Sequence, residues 1–554
     1  FKALLTEPTF GHRLDAYSSY LHNNNTVMGH SIRFKNFRYT EWRDVANGKL
    51  VKDGVLTDLV ADPGEETNLA KDEEHTETLA YAKERLAVRI EESTRSSYNQ
   101  KEDPAQTQSI RIDASPDNLR QTVDGFGGSI AMWGTHADDQ AMEAALKELN
   151  ITFVRAQGEV NKKGVADYNK DILQRAMKLN PDLSILLTFW QPRSVKHQKI
   201  EDWLDVVEQD GGGQYYLKPS MEEAWAKEIA SRVKQYLDWG IRVTAVGVQN
   251  ESNFSHIGTQ TCMWEPERLR KFIEGRLKPE MDKIGLNKIQ IVAPDLAYVG
   301  SNGSELERFL VSSTTPSVDV VAYHMYDSYR DDMDGDLSVL EQNAIGVGKL
   351  KNNHFPNKRL WMTETTGAQW NNEEWHTYGW SPALSEYDKA LLAAQYIDMT
   401  FSKAEANAFF WWGLVYSLAP SGITNPNVRQ KHRDEGLVLV EEKRGANNLQ
   451  KYVERTKKYF FFKQFANFVK PGYTRIKVDA PTETPLSAFI SSDKKSVVVV
   501  VTNSSNKPLK MKFENSFEPA IVEAYQTDPN RNCEPVSVLS AIPSKSVRTV
   551  IFQK

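Results

Sequence analysis

From about residue 110 to 470 the chain repeats one pattern, a short run of apolar or small residues followed by a stretch with helical spacing. Eight such runs can be read: VDGFGGSI (123–130), TFVRAQGE (152–159), SILLTFWQP (184–192), TAVGVQNE (244–251), IQIVAPD (289–295), DVVAYHMY (319–326), RLWMTE (359–364) and NAFFWWGLV (407–415). Runs that are apolar throughout, without alternation, belong to strands buried on both faces, as in parallel sheets covered by helices. The intervening MEEAWAKEIASRVKQYLDW segment shows helical spacing at Ala224, Ile229, Val233 and Leu237. Eight β/α units in succession specify an α/β chain closed into a (β/α)8 TIM barrel over residues 123–470. The count is the argument, because no single strand would carry it.

The flanks follow other rules. After Pro471-Gly472 come short alternating segments separated by Asn, Ser, Asp and Pro turns: TRIKVDA, LSAFISSD, SVVVVVTNSS, LKMKFE, AIVEAYQT and SVRTVIFQK. They predict an antiparallel β-sandwich side domain over 471–554. The SIRIDA strand, within 105–122, precedes the barrel and is expected to join that sandwich. Residues 1–104 read as a small α+β subdomain with its linker. GHSIRFKNFRYTEWRD predicts a hairpin turning at Lys35-Asn36, Asp62-Pro63-Gly64 a turn, and Leu79, Ala82, Leu86 and Ile90 the apolar stripe of a helix. Polar, unpatterned Ser96 to Ser109 is the linker.

Charge and cysteine content exclude some classes. With 68 basic and 74 acidic residues the net charge is -6, and no basic stripe stands out, so a nucleic-acid partner is not expected. No apolar run reaches the length of a membrane span. Cys262 and Cys533 match no metal spacing; a disulfide and two unrelated thiols both remain open. The chain begins at Phe1 without a Met or a signal peptide and reads as a processed or partial polypeptide. The 13 Trp and 21 Tyr suit a sugar-binding cleft, though they also fill large cores.

Two runs deliver carboxylates. Gln249, Asn250 and Glu251 follow the fourth strand and Glu364 the seventh. The C-terminal rim of a parallel barrel is where its chemistry sits, and a pair of carboxyls there suggests acid/base work.

DGFGGSI (124–130), VQNES (248–252), LWMTE (360–364) and FKQFANFVKPGYTRI (462–476) together resemble glycoside hydrolase family 30 from about Ile110 to Lys554, with the glucuronoxylanase branch nearest through LWMTE, Trp411-Trp412 and PGYTRI. The resemblance implies a secreted or periplasmic retaining β-glycosidase that uses no metal or organic cofactor. Glu251 would be the general acid and then base, and Glu364 the nucleophile. Asn250 would bond the sugar 2-OH, and Arg155 would hold Glu364 ionised. His324 and Tyr326 would line the subsite around the nucleophile, while Trp190 and Trp412 would be stacking platforms. Trp411 would face the helices instead. Trp370, Trp375, His376 and Trp380 could form a positive subsite or an aromatic loop core. Two departures bear on sugar specificity: Ser252 stands where the family has Pro, and FWQPRSVK (189–196) replaces Trp-x-Pro-Pro.

SIR at Ser31 to Arg33, RYTEW at Arg38 to Trp42 and DPGEETNLA at Asp62 to Ala70 resemble the C-terminal subdomain of type I sulfatases of the iduronate-2-sulfatase kind. That likeness implies a catalytic half elsewhere on the same precursor. Cys533-Glu-Pro-Val-Ser lacks the Arg of the sulfatase nucleophile motif, so no sulfatase activity is expected from this chain alone. The combination points to cleavage of β-linkages in a polysaccharide, and in its sharper form to a sulfated marine one. A glucuronoxylanase-like enzyme is the close alternative, although Arg429, Lys431, His432 and Arg433 are the only basic cluster that could meet a glucuronate. An inactive carbohydrate-binding barrel attached to a sulfatase is the reading from another class.

Other patterns carry less. Asp331 to Asp336 lacks the Gly placement and distal Glu of a calcium loop. Gly211 to Gly213 has no phosphate-loop context, and His432-Arg433-Asp434 has no kinase surroundings. Sequons at Asn150, Asn253, Asn302 and Asn503 are matched by one on Asn250 itself, which shows how little they mean.

Overall fold

The computed structural model describes residues 15–554 apart from 23–25, 46–47, 98–105, 131–137, 159–164, 191, 193–199, 258–260, 314–315, 329–336, 367, 371–376, 380–383, 419–425, 445–448, 479–483, 516–518 and 520. It divides into two compact units, Phe1–Pro104 and Ala105–Lys554.

In the first unit, β1 (Asp15–His22), β2 (Val27–Phe34), β3 (Phe37–Asp44) and β4 (Leu50–Asp58) make one antiparallel sheet in chain order. The expected hairpin is β2–β3, where Phe34 faces Phe37 across Lys35-Asn36; β1 and β4 extend it on both sides. Helix α1 (Thr76–Ser97) buries Ala82 and Leu86 against Ile32, Phe34, Tyr39 and Leu56, with Leu79 and Ile90 packed beside them. The helical stripe therefore covers one face of the sheet only.

In the second unit, β5 (Gln106–Ile112) and β6 (Leu119–Thr122) lead into eight parallel strands: β7 (Gly125–Ser129), β8 (Phe153–Gln157), β9 (Ser184–Thr188), β10 (Val243–Gly247), β11 (Gln290–Val292), β12 (Val320–Tyr323), β13 (Arg359–Met362) and β14 (Ala408–Ser417). Each falls within one of the eight expected runs, extending a given run by no more than two residues, and β14 pairs with both β13 and β7 to close the barrel. Alternation inside each strand separates two cores. Phe153, Leu186, Ala245, Val292, Val320, Trp361 and Phe410 fill the barrel, while Val154, Ile185, Val246, Val321 and Phe409 meet the helices. Gly127 is required by that filling, since a Cβ there would lie 2.6 Å from the Cβ and the carbonyl oxygen of Phe153.

Helix α2 (Glu222–Asp238) corrects one detail. Ile229 and Val233 are buried as expected, but Ala224 is exposed and Leu237 only partly buried, and Trp225, Ala226 and Tyr236 complete the packed face. The large rings pull the buried stripe around the helix, because the stripe settles where most apolar area is removed from water.

Helices α3 (Glu386–Ser402) and α4 (Pro426–Glu435) flank β14. Beyond the eight expected strands, the outer half of β14 also pairs with β15 (Gly436–Arg444), which forms a hairpin with β16 (Leu449–Arg455). After α5 (Lys457–Ala466) come β17 (Thr474–Ile476), β18 (Leu486–Ile490), β19 (Ser496–Asn503), β20 (Leu509–Asn515), β21 (Ile521–Thr527), β22 (Asn532–Val536) and β23 (Ser546–Gln553). Seven strands form one sheet in the order β22-β21-β23-β19-β18-β17-β6, and β5 joins the side domain by pairing in parallel with β20. In β19, Val497, Val499 and Val501 face the β5–β20 layer, whereas Val498 and Val500 join the barrel's outer core. Burial on both faces explains the unbroken valine run. Both cysteines are free, so the disulfide is not formed. Among the described residues no helix is long and apolar enough to cross a membrane.

Candidate active site

All eight residues singled out from the sequence converge at the C-terminal rim. Arg155 projects from β8 and is fully buried. Its Nη1 donates to Glu364 Oε2 at 2.5 Å, and its Nη2 to Asn250 Oδ1 at 2.6 Å and Asp295 Oδ2 at 2.9 Å. Tyr326 donates from Oη to the other Glu364 oxygen, Oε1, at 2.8 Å. Glu364 is therefore gripped on both oxygens, while Glu251 is held by His324 Nδ1 at 3.2 Å. Trp190 is 3% exposed, and the Arg155 guanidinium lies over its ring at 4.7 Å; this ring props the arginine. Trp412 is half-buried, 6.4 Å from Trp190 between ring centres, and donates from Nε1 to Tyr416 Oη at 2.8 Å. Trp411 faces the helices and donates to the Glu435 carbonyl at 2.6 Å. Trp375, His376 and Trp380 lie outside the described residues, as do the Trp370 side chain and Asp331 to Asp336.

The strands aim these groups by breaking regular geometry just past their ends. Glu251, Asp295 and Met325 adopt φ of 53°, 58° and 70°, a left-handed conformation that costs free energy and persists only where neighbours enforce it. Asn250 N donates to Phe189 O at 2.7 Å, Glu251 N to Asp295 O at 2.8 Å, and His324 N to Leu296 O at 2.8 Å. Neighbouring rim segments thus bind each other through the backbone.

Asp295 is the residue the sequence reading passed over. Fully buried after β11, it accepts from Arg155 and from the Thr363 hydroxyl, and lies 3.3 Å from His324 Nε2. The signal was of the kind that marks Glu251 and Glu364, a buried strand run ending in a carboxyl in IQIVAPD. Tyr396 of α3, also unanticipated, anchors the His324 carbonyl from its hydroxyl at 3.0 Å.

The electrostatics single out Glu251. Burial pushes the Glu251 carboxyl up, and the charge of Glu364 adds to the push, against the hydrogen bond from His324. Burial alone would lower His324, but Glu364 and Asp295 outweigh it and bring the imidazole up to about 9. Burial likewise opposes the charge on Asp295, yet Arg155 and His324 hold it well below the usual carboxylate range. One atom each of Glu251, His324 and Glu364 lie within 4.8 Å of one another. With His324 protonated at neutral pH, this trio surrounds its own cation and is a poor metal ligand set. A carboxyl whose pKa burial raises, beside one gripped by a guanidinium and a phenol, is the arrangement that acid-assisted nucleophilic substitution requires.

No protein-family model matches the chain. Glucuronoxylanase XynC of Bacillus subtilis (strain 168) is 20% identical over 452 residues, spanning 78% of this chain and 90% of that protein. Solved structures share the fold, among them the following two. A GH30 endoxylanase from Clostridium papyrosolvens C71 superposes with TM-score 0.56 at 17% identity, over 81% of this chain and all of its own. The endo-β1,6-glucanase BT3312 does so with TM-score 0.56 at 18% identity, over 80% and 94%. In fold the chain is thus similar to a structure of glycoside hydrolase family 30. The rim described above lies where a parallel barrel places its chemistry.

Proposed function

We propose that this glycoside hydrolase cleaves a β-linked polysaccharide with retention of anomeric configuration, Glu364 acting as nucleophile and Glu251 as acid and then base. The observation that carries the reading is the close approach of the Glu251 and Glu364 carboxyl groups, within 4.8 Å. Retaining enzymes hold them about 5–5.5 Å apart, whereas inverting ones leave room for a water at about 6.5–9.5 Å.

In the first step a Glu364 oxygen attacks the anomeric carbon while Glu251 gives its proton to the glycosidic oxygen. The C–O bond breaks, the leaving sugar departs as an alcohol, and a glycosyl ester remains. Glu251, now a carboxylate, then takes a proton from water as that oxygen attacks the same carbon, and the ester bond breaks to return Glu364. Arg155 and Tyr326 hold the nucleophile's oxygens, and Asn250, fixed by Arg155, is set to bond the sugar 2-OH. His324 steadies Glu251 in the ionised form between the steps.

A xylan-type backbone is the first substrate class, because a curated relative is named a glucuronoxylanase and a fold neighbour an endoxylanase. In the candidate glucuronate cluster, Arg429 donates to Glu441 at 2.5 Å, Arg433 to both oxygens of Glu454, and His432 Nδ1 lies 2.8 Å from the Ser417 carbonyl. These bonds weigh against a uronate clamp there. The sulfatase-like first unit supports a second reading, a sulfated polysaccharide met outside the cell, with the remaining sulfatase half on the same precursor.

Product profiling on glucuronoxylan, β-1,6-glucan, ulvan, porphyran, carrageenan and fucoidan, native and desulfated, decides between them, with anomeric configuration read by proton NMR. Glu364→Gln is expected to abolish turnover. Glu251→Gln should lower kcat by about 10²–10⁴-fold on natural linkages and far less on aryl glycosides whose leaving group needs no proton. An initial product of inverted configuration, or full activity in either variant, overturns the assignment.

A further inference from the structure

The face of the first unit's sheet opposite α1 is a groove of about 500 Å³, within the size range of small-ligand sites. Alternation puts Arg33 of β2 and Arg38, Thr40 and Trp42 of β3 on this face, while Ile32, Phe34 and Tyr39 point to the helix. Arg33 and Arg38 stand directly opposite in the antiparallel register, and like charges so placed destabilise a sheet unless something neutralises them. Glu65 does this for one of them. Held at φ 56° in the turn after β4, it takes the Arg38 guanidinium on Oε1 and the Thr57 hydroxyl on Oε2 at 3.2 Å. Arg33 is exposed, and among the described residues no carboxylate pairs with it.

Four residues along β3 from Arg38, on the order of 13 Å at strand rise, the half-buried indole of Trp42 stands opposite Gly29, which adds no side chain beside it. Between the arginines and the indole runs a hydroxyl pair, Ser31 Oγ to Thr40 Oγ1 at 2.9 Å. Val55 is the one aliphatic lining residue. A protein-docking patch would carry an apolar centre depleted in charge; here the centre is hydroxyl-lined, with a forked cation at one end and an aromatic plate at the other. We propose that this groove is a second carbohydrate site that binds an anionic glycan, its sulfate or carboxylate on Arg33 beside Arg38 and a sugar ring against Trp42. The site lies within one unit and does not depend on the cleavage chemistry proposed for the barrel.

The test uses the full chain with Glu364→Gln in the background, so that bound sugar is not turned over. Isothermal titration with carrageenan, polygalacturonate and xylan oligosaccharides compares that background with Arg33→Gln and Trp42→Ala. Binding of at least one anionic probe, weakened tenfold or more by Arg33→Gln and by Trp42→Ala and falling with added salt, is the expected result, and the carrageenan and polygalacturonate arms tell sulfate from carboxylate. Arg33 is exposed, so its variant tests the groove even if Trp42→Ala unfolds the unit. With Glu364 restored, the two groove variants should hydrolyse a small aryl glycoside at the unchanged rate, which separates this site from the barrel's. Anionic binding equal in background and Arg33→Gln, preference for the neutral xylan probe, or self-association of the chain lost on Arg33→Gln without glycan binding overturns the proposal.

Discussion

At the scale of single residues, Asp295 is the group on which the two halves of the site meet, since it touches Arg155, which grips Glu364, and His324, which holds Glu251. Its charge helps keep His324 protonated, with the imidazole up at about 9. Asp295→Asn removes that support, so burial drives His324 toward its neutral form and Glu251 loses a cationic neighbour. The Glu251 pKa then rises further. Because the proton donor must be protonated, the alkaline limb of kcat/KM is expected to move to higher pH, with the maximum down about 10²-fold from misaligned groups. A pH–rate profile checks this; a uniform drop with an unmoved limb would mean that Asp295 only braces the rim. Glu251, Glu364 and Asp295 were each legible as carboxyls ending buried strands. Their convergence was not, because three strand ends far apart in sequence meet only once the barrel closes.

At the scale of elements, α3 and β18 lock the side domain to the barrel through one buried carboxyl. Asp398 of α3 accepts from Ser487 of β18 at 2.5 Å and from Ser402 at 3.2 Å, yet burial pushes it up to about 6 despite these donors and nearby Arg475. A carboxyl raised in the folded state favours folding fully below its unfolded pKa and loses that contribution as pH rises through the folded value. The shift from 3.8 to about 6 corresponds to a loss of up to about 3 kcal/mol by neutral pH. Asp398→Asn is expected to abolish that loss, so denaturant unfolding should show the variant gaining on the parent between pH 5 and 8. An equal difference at both pH values would contradict it. The valines of β19 show what packing adds to an element's sequence: read as one of the alternating strands of the side domain, the run is buried on both faces, against the β5–β20 layer and the barrel's outer core. β15 and β16 lie outside the eight runs read from the sequence, and their place on the sheet depends on β14 extending beyond the barrel.

At the scale of the whole molecule, two compact units joined at a polar linker should unfold separately. Calorimetry of the full chain is expected to give two transitions, with a van't Hoff enthalpy below the calorimetric one; a single transition with equal enthalpies would show the units to be one cooperative body. Two kinds of information produced this picture. Periodicity is local, so the sequence by itself determined the eight strands, the flanking all-β and α+β segments and the strand ends that carry Glu251 and Glu364. Side-chain environment is not local. Only the tertiary structure decided that Glu251 sits where burial raises its pKa while Arg155 and Tyr326 grip Glu364, that Trp190 braces an arginine, that the cysteines stay apart, and that Arg33 and Arg38 face each other across a sheet. Each of those depends on which distant segments exclude water from one another, and that is set by closure and packing.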